Sequence, residues 1–153
     1  MACRRGMSSD MRIRWILGVA LVAGCFSVEG PDLSGTYAVT PGLDEPFTLK
    51  VGERAWIDGA SLYLRFLDVE SDSRCPSNAL ILCVWEGDAG VVIEIGPLVG
   101  DAAVDTLHTT LEPKSVPVGD GMLVLQRLDP YPEDVTPIPI EEYVATFVVE
   151  ISS

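Results

Sequence analysis

The sequence predicts an all-β domain, an antiparallel β-sandwich of immunoglobulin-like type with about eight short strands, and a small closed barrel as the alternative. Three observations predict it. From Phe47 onward the apolar residues follow the strand period of two, and β-branched and aromatic residues are frequent between Gly, Pro and Asp breaks. No segment carries an apolar stripe at helical spacing. The eight short runs fall within about 105 residues, enough chain for one core that can fold alone.

The expected strands, in order, are Phe47–Val51, Ala55–Asp58, Leu62–Glu70, Leu80–Glu86, Val91–Ile95, Val104–Leu111, Met122–Asp129 and Glu142–Ile151. In the last, Tyr143, Ala145, Phe147, Val149 and Ile151 share one face and are assigned to the core, with Thr146 and Glu150 opposite. In Leu62–Glu70 the apolar face switches from Leu62, Leu64 and Phe66 to Leu67 and Val69, which predicts a β-bulge. The segment Asp129-Pro130-Tyr131-Pro132 reads as a rigid corner, because two prolines fix the backbone and withdraw two donors.

Ahead of this domain stand two segments of different character. Arg4, Arg5, Arg12 and Arg14 precede an apolar run from Trp15 to Ala23, followed by Gly24 and Cys25. A basic region before a short apolar one reads as a secretory signal over residues 1–24, too short for a spanning helix. Val22-Ala23-Gly24-Cys25 resembles the lipobox of bacterial lipoproteins, which implies that Cys25 is acylated and begins the mature chain. Phe26 in the next position, where an aspartate would stand for retention, points to the outer membrane of a bacterial cell envelope. Residues 25–46 then turn to Gly, Pro, Ser, Thr and acids and read as a flexible tether.

Removing the leader decides the cysteine count. Cys3 leaves with it and Cys25 carries lipid, so Cys75 and Cys83 remain, and in an oxidising compartment they read as one disulfide. Charge shifts too. The leader holds four of the ten basic residues and one of the 23 acidic ones, which leaves six against 22, a net charge of −16. Such a surface repels phosphate backbones and anionic head groups, so nucleic-acid partners are excluded. The partners expected are the membrane, through the lipid, and an envelope protein or ligand of unknown identity.

Around the cysteines the chain reads Asp72-Ser73-Arg74-Cys75-Pro76, then Cys83, Trp85, Gly87 and Ala89. This D-S-R-C-P…C-x-W-x-G-x-A pattern resembles a family of small, secreted or lipid-anchored bacterial proteins that has no assigned activity. The resemblance extends more weakly from about Phe47 to the C-terminus and implies fold and compartment only.

Chemistry is sparse. His108 is the one histidine, no G-x-S-x-G element exists, and no second cysteine pair would complete a zinc site, so neither a catalytic residue nor a metal ligand or cofactor is assigned. Asp68, Glu70, Asp72 and Asp88 could form an acidic rim or hold calcium, although no calcium-loop pattern is present. Trp85 is expected to cover the cystine within the core. The candidate binding loop is the cystine loop, with Arg74, Ser77 and Asn78 on display. Arg74 has two readings, a guanidinium handle for a partner or an internal clasp on Asp72 or Asp88. The chain reads as a non-enzymatic, lipid-anchored binding or structural accessory module. The alternatives are a hydrolase using paired carboxylates such as Asp68 and Asp88, or a protease-inhibitor-like module.

Overall fold

The computed structural model describes residues 36–78 and 80–151. The leader and Cys25 lie outside the described residues. Eight strands form two antiparallel four-stranded sheets: β1 (Phe47–Lys50), β2 (Arg54–Ile57), β3 (Leu62–Asp72), β4 (Ala89–Gly96), β5 (Ala103–His108), β6 (Ser115–Val118), β7 (Gly121–Asp129) and β8 (Val144–Ile151). One sheet has the order β2-β3-β4-β5 and the other β1-β8-β7-β6. This is the sandwich rather than the barrel. Each sheet is a meander of consecutive strands, with β1 added beside β8, so the likeness to immunoglobulin domains lies in the stacked sheets and not in a Greek-key connection.

The core is what the alternation specifies. Ala55 and Ile57 of β2, Leu64 and Phe66 of β3, and Val91, Ile93 and Ile95 of β4 turn inward from one sheet, and Phe47 and Leu49 of β1 with Leu123, Leu125, Ala145, Phe147 and Val149 turn inward from the other. Phe147 sits at the centre, 5.9 Å from Phe47 and 6.4 Å edge-on to Phe66 between ring centroids. Tyr143, Ala145, Phe147 and Val149 are buried as expected, while Ile151 is exposed at the end of β8. The bulge in β3 lies where the apolar face switches, between Phe66 and Asp68, and a second register shift follows between Val69 and Ser71.

Two expectations are corrected and one further strand is added. Leu80–Glu86 is not a strand but part of a loop between β3 and β4 that leaves the sandwich altogether. Ser115–Val118 is a strand despite Pro117, which an edge position tolerates: β6 borders its sheet. Residues 36–46, assigned to the tether, are fastened to the domain. The Ala38 amide donates to the Arg54 carbonyl, Val39 bridges Ala55 in parallel, and the Asp44 amide donates to the Val149 carbonyl. Pro41 is buried, and Tyr37 packs on Trp56 at 5.8 Å.

The strand directions gather the long connections at one end. Asp72 pairs with Ala89 and Asp129 with Val144, so the 73–88 loop, the 109–114 loop and the 130–143 loop share that end. Val39 runs parallel to β2, which is antiparallel to β3. The described chain therefore enters the sheet from this same end.

Candidate functional site

The cystine loop begins where β3 runs out, and a buried arginine fixes its base. The Arg74 side chain is only 4% exposed. Its Nε and NH2 donate to the two carboxylate oxygens of Asp72 at 2.9 and 2.7 Å, the paired-fork geometry that suits a guanidinium. The remaining donors cross to the other sheet: NH1 reaches the Leu128 carbonyl at 2.5 Å and NH2 the Pro130 carbonyl at 2.9 Å. Tyr131 lies against the guanidinium, 5.2 Å from ring centroid to Cζ. The Tyr143 hydroxyl donates to Asp72 at 3.0 Å. Of the two readings of Arg74, the geometry is that of an internal clasp on Asp72. It is not displayed.

These bonds set the local electrostatics. Burial alone would raise the Asp72 carboxyl, but the Arg74 hydrogen bonds, its charge and the Tyr143 hydroxyl outweigh burial and hold the group below the usual carboxylate range. Tyr143 is pushed up to about 12, first by burial and then by the hydrogen bond to Asp72 and its negative charge.

Asp88 fixes the other end of the loop. Its carboxylate accepts from the Thr110 amide at 2.9 Å, the Leu111 amide at 3.3 Å and the Thr109 hydroxyl at 3.2 Å, and meets His108 Nδ1 at 2.6 Å. Burial would raise this carboxyl, yet the backbone donors and His108 together lower it. The Asp88 backbone is tied to Ser73, whose amide and hydroxyl both donate to its carbonyl, at 2.7 and 2.9 Å. Between them Gly87 adopts φ 75°, and a Cβ there would overlap the Ser73 carbonyl. Only glycine lets the returning strand lie this close.

Cys75 and Cys83 are joined, with Cα atoms 6.0 Å apart. The Ser77 and Asn78 amides donate to the Pro132 and Glu133 carbonyls, which docks the loop onto its neighbour. Ser77 and Asn78 are exposed, as expected, but the Asn78 side chain is used locally and accepts from the Leu80 amide at 3.0 Å. Trp85 is not in the core over the cystine. It is 56% exposed, and Leu80, Leu82 and Val84 are 91%, 95% and fully exposed. The apolar run that looked like a buried strand is held outside by its two pinned ends.

Asp68, Glu70 and Asp72 line one open hollow of about 720 Å³ together with Asp134, whereas Asp88 lies elsewhere with its oxygens engaged by the 108–111 segment. The pairing of Asp68 with Asp88 named for the alternative hydrolase reading is thus not formed. Among the described residues no three His, Cys, Asp or Glu side chains converge to hold a metal ion, and no helix is long and apolar enough to cross a membrane. Compared with protein-family models, with characterised proteins and with solved structures, the chain matches none. Sequence reasoning missed the role of Asp88, because its partners lie some twenty residues away and meet it only through the β4–β5 pairing.

Proposed function

We propose that this chain is a lipid-anchored protein of the bacterial envelope whose β-domain is a binding or structural accessory module, not an enzyme, and that it docks through the cystine-loop end. The lipid anchor rests on the lipobox at Val22-Ala23-Gly24-Cys25. The docking role rests on one observation: four large apolar side chains of the cystine loop stand in solvent on a base locked by a disulfide, a buried ion pair and a required glycine. Rigid display lowers the ordering cost of association, and apolar surface exposed in one place marks an interaction site.

Both parts have a direct test. Growth with a clickable fatty acid should label the wild-type chain and leave Cys25→Ser unlabelled; equal labelling of the two refutes the anchor. A photoactivatable diazirine residue at position 82 should give adducts in intact cells, whereas the same residue at position 104, exposed on β5, should not. Equal yields at the two positions refute a docking role for the loop.

A further inference from the structure

We infer that the cystine loop inserts its apolar tip into the surface of the lipid bilayer, so that the domain lies on the membrane by a protein contact in addition to the acyl anchor. The inference deepens the reading just given and rests on it for orientation.

Three observations favour a bilayer over a protein groove. The run Leu80-Ile81-Leu82-Cys83-Val84-Trp85 holds no charged residue, and Leu80, Leu82 and Val84 are almost wholly in water. Lipid tails accept such side chains without requiring shape or hydrogen-bond complementarity. Trp85 stands at the foot of the run, directly before Glu86, where a half-exposed indole would meet the head-group level that tryptophan prefers. The neighbouring loops add Leu111, Tyr131, Val135 and Ile140, all exposed, so eight of the thirteen large exposed apolar side chains among the described residues stand on this one end.

The path of the chain supplies the third observation. The segment beginning at Thr36 enters the sheet from the end that carries the cystine loop. Ten residues lie between Cys25 and Thr36, eleven Cα-to-Cα steps with a reach of at most about 35–40 Å. An acyl group on Cys25 would therefore keep the domain within that reach of the bilayer, with its attachment on the end that carries the loop. Glu86, Glu133 and Asp134 flank the tip and are exposed, so the fit is to a zwitterionic surface, and anionic lipids should repel the loop until salt screens the charge.

The experiment uses the full chain, expressed with its own leader, purified in detergent and reconstituted into phosphatidylcholine vesicles. Trp15→Phe and Trp56→Phe leave Trp85 as the sole tryptophan. Its emission should shift to the blue on reconstitution and be quenched by lipids brominated near the head groups. Leu80→Ser, Leu82→Ser and Val84→Ser together should abolish both effects, and since these side chains are solvent-exposed the fold is untouched. Replacing half the lipid with an anionic one should weaken quenching at low salt and restore it at high salt. The mass of the purified chain reports acylation in the same sample, independently of quenching. An acylated chain whose Trp85 remains water-exposed overturns the inference and leaves the anchor standing. A chain without acyl mass whose Trp85 is quenched refutes the anchor but supports insertion. Burial of Trp85 in native membranes but not in pure lipid vesicles identifies a protein partner, and overturns the inference as well.

Discussion

Replacing Arg74 by methionine keeps the apolar stem and removes the guanidinium, and its consequence can be worked from the bonds it makes. Asp72 would be left with its side chain about 11% exposed and only two neutral donors, the Tyr143 hydroxyl and the backbone amide of residue 74, in place of a paired cation, while the Leu128 and Pro130 carbonyls would lose their donors. Removing one partner of a buried ion pair costs about 3–5 kcal/mol. For a domain of this size, that corresponds to a fall in melting temperature of roughly 10–20 °C. Thermal and urea unfolding of Arg74→Met, Asp72→Asn and the double variant form the cycle that isolates the pair. Asn at position 72 can still accept from Tyr143 but carries no stranded charge, so the double variant should lose less than the sum of the single losses, by more than about 1 kcal/mol. Single losses below about 1 kcal/mol, or strict additivity, would refute the clasp. The pH dependence has a definite sign. Asp72 is depressed in the folded state, so its contribution is present above the unfolded carboxylate pKa of about 3.9 and is lost as pH falls through the folded value; in Arg74→Met that acid sensitivity should shrink.

Three further expectations follow from the same end of the sandwich. Gly87→Ala combines a positive φ with overlap on the Ser73 carbonyl and should cost at least about 2–3 kcal/mol in urea titrations, far more than alanine at the open, equally positive-φ Gly52. Reducing the Cys75–Cys83 bond, or making Cys75→Ala with Cys83→Ala, should lower stability by about 2–3 kcal/mol on the chain-entropy estimate for so short a loop, and amide exchange should accelerate between residues 76 and 86 while the β8 amides keep their protection rank. Asp88→Asn should flatten the acid limb of the stability curve below about pH 4, since the Asp88 carboxyl is also depressed; an unchanged acid limb would show that its contacts with Thr110 and His108 do not persist in solution.

Much of the sandwich was legible because its information is local. The alternation in β8 names its own inward face, and the switch from Phe66 to Leu67 locates a bulge to within a residue. The Cys75–Cys83 bond was legible as the pair that remains once Cys3 and Cys25 are assigned to an expected leader and its anchor. What failed to show were features decided by remote partners. Leu80–Trp85 has the composition of a buried strand, and nothing within it reveals that Arg74 and Asp88, both outside the run, pin its ends to Leu128 and Thr110 and hold it away from the sheets. Trp85 follows the same error, since a tryptophan beside a cystine is a core signal only when the cystine is in the core. Residues 36–46 looked like a tether because their attachment runs through backbone bonds to Arg54 and Val149, which composition does not encode. β6 was not among the expected strands; it carries Pro117, which its edge position tolerates.

That proline has a consequence for how copies of this domain tolerate one another. The Leu125 amide donates to the Lys114 carbonyl, and with the β6–β7 register this places residues 114, 116 and 118 in the bonded pairs and turns the backbone of 115 and 117 away from β7. The nitrogen that proline leaves without hydrogen is thus one that β7 never used. The ladder loses nothing, and the open rim of the sheet presents one fewer donor to a strand from a neighbouring molecule. If lipid anchoring confines many copies to one plane, encounters edge to edge become frequent, and a blunted rim keeps them from propagating into a continuous intermolecular sheet.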